Sequence, residues 1–301
     1  MPKFSMGSWA FSFGPYAANP VPLGRVAEHL SKAGYDGIEL CGFPPHASPD
    51  ELPTSASRRD LQARLSGLGL GVSGFAADFT AVNPAAVGNK ARYLELFKRT
   101  LDVCAGVGSP SIRVDSVAAP VSIPAAEMGE AMERLADCWH CVSSFAEKAG
   151  IKVVWEFEPG FAFNNSRQVG ELYERVAHPN FYLLFDTAHA HMCGVTLDEC
   201  AGRIGALHLV DSDNTLYADE TSTHCAVGKG IIDFDSMVPK LRAMKLDWWT
   251  VDLSFREDSW DLVAPSLACI KKLASGEPVG EPAIAGPLTS AKQSKPPGRP
   301  K

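Results

Sequence analysis

With 301 residues, 46% of them hydrophobic and 21% charged, the chain has the composition of an ordinary globular protein and enough length to bury a full core. A formal net charge of -7 gives no field attractive to phosphate backbones, and no Lys/Arg stripe interleaves with aromatic residues, so nucleic acid is not expected as a partner. No run approaches the ~18 apolar residues of a membrane span, and the opening MPKFSMGSWAF lacks the basic and long apolar regions of a signal peptide; a cytoplasmic protein without a membrane partner is expected.

Short apolar runs that read as buried strands lie at 4–9, 37–41, 71–76, 110–114, 152–157, 181–186, 205–210 and 247–252. Helical patterns alternate with them near 21–33, 55–67, 84–106, 125–148, 166–176, 195–202, 234–244 and 258–274. Several of these end in Gly just before the next strand, as in KAGYDGIEL and AEKAGIKVVWEF. Near-continuous apolar strands separated by helices predict a parallel sheet covered on both faces, because a doubly buried strand loses the in/out alternation of a half-exposed one. Length alone, at ~150 residues per domain, allows two domains, but eight βα units fit a single (β/α)8 TIM barrel over 1–274.

The rival architecture, a doubly wound sheet, announces a dinucleotide site by G-x-G-x-x-G directly after a strand. The Gly-rich stretch here, GLGLGVSG from Gly67 to Gly74, runs from a helix end into a strand and reads as a cap and turn. Residues 275–301 are dense in Pro, Gly and small polar residues with little to bury, which predicts a disordered tail. The eight cysteines are scattered, so no disulfide framework is expected. Cys138 and Cys141 form a C-x-x-C inside the helical stretch 125–148, whereas a redox pair of this kind opens a helix after a strand.

In such a barrel the active face lies at the C-terminal ends of the strands. Strand five ends in Trp155-Glu156-Phe157-Glu158, strand six in Phe185-Asp186-Thr187-Ala188-His189, strand seven in His208-Leu209-Val210-Asp211 and strand eight in Val251-Asp252. Carboxylates buried at strand ends need a compensating charge, and no row of Arg or Lys accompanies them. One divalent cation held by Glu156, Asp186, His208 and Asp252 answers that need, with Mn2+ preferred for an oxygen-rich, partly open site and Mg2+, Co2+ or Zn2+ as alternatives. Taken singly, a strand-end acid such as Asp186 is more often a helix N-cap than a ligand, and His208 more often a core histidine; four such groups at equivalent strand ends carry the metal reading.

Several segments together resemble the xylose-isomerase-like barrel superfamily of sugar isomerases and epimerases: GSWAF closing the first strand, GYDGIEL at 34–40, Glu156 in WEFEPG, the D-x-x-H from Asp186 to His189, His208 in LHLVD, GKGIIDF at 228–234 and Asp252 in TVDL. The resemblance covers all but the tail. It implies the same four metal ligands, a substrate contact at His189, and acid-base roles for the residues at Glu156 and Asp252. Relatives usually carry Glu at the last metal position; Asp252 is one methylene shorter, which puts a two-base epimerase mechanism in question but not metal binding.

The expected chemistry is metal-assisted proton transfer next to a carbonyl of a sugar or keto-sugar, with Glu156 as base and Asp252 or Glu158 handling the second proton. Further substrate contacts are expected from Trp9, Phe11 and Phe13 as an apolar wall, from Arg113, and from His46, His191, Asp211 and His224. The 211–230 segment is long for a βα connection and is expected to shape the pocket. The same enolate chemistry on a 3-keto-glycoside would expel the anomeric substituent, so a lyase acting on 3-keto-C-glycosides is the alternative. Relatives of that kind are often one subunit of a heteromeric complex, and a homo- or hetero-oligomer is expected. The AP-endonuclease branch of the superfamily needs more ligands and a basic groove, which the net charge of -7 opposes.

Overall fold

The eight apolar segments pair as parallel strands in the order in which the chain makes them. In the computed structural model, which describes residues 1–116, 123–218, 220–279 and 289–290, these are β1 (Lys3–Gly7), β2 (Gly37–Cys41), β3 (Gly71–Ala76), β4 (Ser111–Val114), β5 (Lys152–Glu156), β6 (Phe181–Asp186), β7 (Ile204–Leu209) and β8 (Trp248–Val251). β8 pairs with β1 through Phe4↔Trp249 and Ser5↔Thr250, closing a (β/α)8 barrel. The outer helices are α1 (Leu23–Ala33), α2 (Ser55–Gly67), α3 (Lys90–Val107), α4 (Met128–Lys148), α5 (Ser166–Val176), α6 (Thr187–Cys193), α7 (Phe234–Ala243) and α8 (Val263–Ser275).

Local chemistry sets the helix limits. Thr54 and Ser57 form a reciprocal capping box at the start of α2, and α1 ends where Gly34 takes a left-handed φ of 90°. The core lies between helices and barrel: Trp139 of α4 packs against Trp155 of β5 at 5.3 Å and Phe181 of β6 at 5.5 Å between ring centres. Each is almost fully buried, so these three rings alone hold α4 to the sheet by several kcal/mol of apolar burial, at about 2–3 kcal/mol per large side chain.

Two local expectations are corrected. The helix expected at 195–202 is a run of turns, and α6 instead starts directly on the end of β6. The cause is Asp186, whose carboxylate accepts the backbone N–H of His189 at 2.8 Å and caps the new helix at once. Likewise the first strand stops at Gly7, and Ser8–Phe11 forms a 3-10 turn that carries Trp9 over the barrel mouth. Cys138 and Cys141 lie inside α4, and all eight cysteines are free thiols. Thr289–Ser290 pair in parallel with Thr215–Leu216, whereas 280–288 and 291–301, on which the expectation of a disordered tail falls, lie outside the described residues. Among the described residues, no helix is long and apolar enough to cross a membrane.

Candidate functional site

The barrel register brings four strand-end groups to one level. Glu156 is the last residue of β5, Asp186 the last of β6, His208 the next-to-last of β7, and Asp252 follows β8 directly. Asp186 is paired with His208 in the β6–β7 ladder, and His208 with Thr250 in the β7–β8 ladder. None of the four is more than 3% exposed. Ligand atoms of Glu156, Asp186 and His189 lie within 4.8 Å of one another, as do those of Asp186, His208 and Asp252. Asp186 is common to both trios.

The hydrogen bonds show which oxygens are taken. Glu156 receives Arg113 Nη1 on Oε2 and faces His208 Nδ1 with Oε1 at 2.9 Å. Asp252 Oδ1 accepts the Trp9 indole N–H at 2.9 Å, the Ser254 backbone N–H at 2.8 Å and the Ser254 hydroxyl at 2.6 Å. Asp186 Oδ1 caps α6, but its Oδ2 is buried without a hydrogen-bond partner, 3.9 Å from His208 Nδ1. A buried carboxylate oxygen left in this way is costly unless a cation meets it.

Arg113 changes one step of the sequence argument. Glu156 does have a cationic partner, and the same guanidinium stands 3.5 Å from Asp115 Oδ2 and over the Trp9 ring at 5.7 Å. A strand-by-strand reading misses this, because Arg113 on β4 and Glu156 on β5 meet only through the register. That guanidinium pairs with Glu156 and Asp115 only, while the buried carboxylates of Asp186 and Asp252 form no ion pair with an Arg or Lys among the described residues. This excess of hard oxygen donors with one imidazole among them fits a divalent cation.

The surroundings set each group's proton affinity. Burial raises the Asp186 pKa to about 7, with the Glu156 and Asp252 charges adding to the effect. Burial acts the same way on Glu156, but Arg113 and His208 outweigh it and bring that pKa to about 2. Asp252 is held well below the usual carboxylate range, burial being overcome by His224 and by its hydrogen bonds. Burial pushes His189 down to about 3, helped by His224, so its ring is neutral. His208 and His224 go up despite burial, held by Glu39 and Glu156 in the first case and by Asp252 in the second.

Over this centre lies a cavity of about 110 Å³. Trp9, Phe13, Arg113, Glu158, His189 and His224 line it, as do Glu156 and Asp252. His189 Nδ1 meets the Ser222 hydroxyl at 2.7 Å, and its Nε2 lies 3.7 Å from Glu158 Oε2. His224 lies 3.7 Å from Asp252 Oδ1 and has no hydrogen bond at either ring nitrogen. Phe43, Phe161 and Phe255 join Phe13 in the apolar part of the wall.

Four residues expected to touch substrate stand elsewhere. Phe11 is buried in the core against Tyr16 and Trp260, because the 3-10 turn sends Trp9 and Phe11 to opposite sides. His46 lies in a groove between α1 and α2, its Nε2 bonded to the Val21 carbonyl at 2.9 Å. His191 is exposed near the end of α6. Asp211 is fully buried, its carboxylate accepting the backbone N–H groups of Ser212, Gly228, Gly230 and Ile232 at 2.8–3.0 Å. It therefore ties down the 211–232 loop, and a Cβ at Gly230 would collide with it. Glu39, which the sequence reading passed over inside GYDGIEL, lies 3.0 Å from His208 Nε2.

Comparison with known proteins agrees with this architecture. Residues 27–273 match the family described as xylose isomerase-like TIM barrel. Among solved structures, the chain is similar to an L-ribulose 3-epimerase (TM-score 0.72, 20% identity, covering 91% of this chain and 95% of that one). It is also similar to the 3-keto-D-glucoside 4-epimerase of E. coli (TM-score 0.69, 16% identity, 90% and 100%). A third is the IolI protein with a bound zinc atom (TM-score 0.69, 20% identity, 90% and 96%). No curated protein sequence matches the chain.

Proposed function

The chain belongs to the xylose isomerase-like TIM barrel family, and from that premise we propose that it is a divalent-metal-dependent sugar isomerase or epimerase of the cytoplasm. The observation that carries the reading is the buried, unpartnered Oδ2 of Asp186, set among the strand-end donors Glu156, His208 and Asp252. The names of two similar structures, an L-ribulose 3-epimerase and a 3-keto-D-glucoside 4-epimerase, support a keto-sugar as substrate. A cation held by these four residues, Mn2+ by preference and Mg2+, Co2+ or Zn2+ otherwise, would supply a Lewis acid for two neighbouring substrate oxygens.

The proton is moved by the chain's own groups. Glu156 and Asp252, first in line for that role by sequence, are both held in the ionised form by cationic or hydrogen-bonding partners, which makes them weak bases. Glu158 lines the cavity beside His189 and is better placed to take the proton next to the carbonyl. The neutral His189, steadied by Ser222, hydrogen-bonds a substrate hydroxyl, while Trp9 backs the sugar ring.

The experiment is a carbohydrate screen after chelation, with single ions added back. Turnover of an unphosphorylated ketose that requires the ion is the expected result; ion-independent turnover rejects the reading. Glu156→Gln should lose both metal affinity and turnover, whereas Glu158→Gln should keep the affinity and lose turnover.

Four phenylalanines in the cavity wall favour a second reading. Phe13 meets Phe43 edge-on at 5.2 Å and stacks on Phe255 at 6.1 Å, an apolar surface suited to an aglycone. In that case proton removal from a 3-keto-C-glycoside is followed by β-elimination of the aglycone, a lyase reaction. Release of aglycone from 3-keto-glycosides, with no epimer formed from free ketoses, selects it.

A further inference from the structure

We propose that Glu39 is a positioning residue for the metal centre, fixing which nitrogen of His208 faces the cation; the proposal rests on the metal reading above. His208 is completely buried, so its ring nitrogens must find partners within the protein. Nε2 lies 3.0 Å from Glu39 Oε2. Nδ1 lies 2.9 Å from Glu156 Oε1 and 3.9 Å from Asp186 Oδ2. A carboxylate only accepts, so without a cation both ring nitrogens donate, Nε2 to Glu39 and Nδ1 to Glu156; when a cation displaces the Nδ1 proton, Glu39 holds the remaining proton on Nε2 and leaves the Nδ1 lone pair to the ligand cluster. The Trp9 ring, 5.3 Å from the imidazole between centres, restricts rotation out of this orientation.

The sheet reserves the space for this contact. The register between β2 and β3 slips between Ile38 and Glu39, so Ile38 pairs with Val72, Glu39 pairs with Gly74, and Ser73 has no partner across the ladder. An extra residue of this kind re-aims side chains beside a site. Opposite Glu39, a Cβ at Gly74 would sit only 3.1 Å from Glu39 Cδ and from Ser111 Oγ, so the missing side chain leaves the carboxylate its room. Glu39 belongs neither to the cavity wall nor to either ligand trio; it acts on the centre through His208.

Calorimetric titration of the metal-free protein with Mn2+ tests this, alongside thermal unfolding of each metal-free variant. Glu39→Ala should bind Mn2+ roughly 10–100-fold more weakly than the unsubstituted protein. Glu39→Gln, whose amide oxygen still accepts from Nε2, should lose less, and its kcat at saturating Mn2+ should return to near the unsubstituted value. A folded Glu39→Ala variant with unchanged Mn2+ affinity overturns the role of Glu39 alone; no Mn2+ binding by the unsubstituted protein overturns the metal centre and the role with it. Should Glu39→Ala not fold, nitrogen NMR of the unsubstituted protein with 15N-labelled histidine and Zn2+ decides. A proton on Nε2 of His208 is expected, and a proton on Nδ1 refutes the proposal.

Discussion

The Trp9 indole N–H donates to Asp252 Oδ1 at 2.9 Å, joining the turn after β1 to the residue after β8 where the barrel closes on itself. With Ser254 bonding the same oxygen twice, Asp252 is held with Oδ1 saturated and Oδ2 available to a cation.

Trp9→Phe keeps an aromatic ring and removes the donor. Losing one hydrogen bond to a buried carboxylate should lower stability by about 1.5–3 kcal/mol, read from the urea midpoint, and weaken Mn2+ binding as Asp252 gains freedom to turn. An unchanged midpoint with unchanged affinity would show that Ser254 alone fixes the carboxylate.

Arg113→Met leaves Glu156 buried beside other carboxylates with no guanidinium. The metal-free variant should be less stable by roughly 3–5 kcal/mol, the usual loss when one partner of a buried pair is removed. Added Mn2+ should raise Tm more in the variant than in the unsubstituted protein, because the cation becomes the main countercharge. Equal shifts would count against Glu156 as a ligand.

Chelation should lower Tm, and Mn2+ at a hundredfold excess over Kd should restore about 2.7 kcal/mol of stability. A melting curve indifferent to chelator would overturn the proposed cation site.

Acid sensitivity carries a signature of His189. Its folded pKa is about 3, below the ordinary 6.5, so the unfolded chain binds a proton there first as pH falls. The residue's contribution is complete above pH 6.5 and is lost as pH drops from 6.5 towards 3. His189→Asn should therefore show a flatter stability-versus-pH curve across that interval, measured by urea unfolding at successive pH values. Identical slopes would mean that the fold leaves the His189 pKa at its ordinary value.

Asp211→Asn replaces two of the acceptor sites that gather four backbone N–H groups. The 212–232 loop should exchange its amide hydrogens faster, and KM should rise more than kcat falls, because His189 is steadied by Ser222 in that loop. Unaltered exchange would show that the loop is held by its other contacts.

The strands and their ends were legible because burial on both faces leaves continuous apolar runs, and because polar groups closing such runs are expensive without a purpose. Glu156, Asp186, His208 and Asp252 were singled out by that logic, and the register brings them to one level. Arg113 and Glu39 were read only partly or not at all: their meaning lies in partners on other strands, 43 and 169 positions away. Phe11, His46 and Asp211 were misplaced for the converse reason. Nothing in their neighbours distinguishes a side chain facing the cavity from one turned into the core, a helix groove or a loop's own backbone.

The start of α6 at Asp186 makes one side chain answerable to two tasks. Its Oδ1 begins a helix and its Oδ2 is buried without a hydrogen-bond partner, so folding and uptake of the proposed cation would be drawn through a single carboxyl group. Swapping it for Asn would preserve the first task and impair the second, whereas Ala would fail at both. Position 186 therefore gives a way to separate architecture from chemistry with two substitutions at one atomic address.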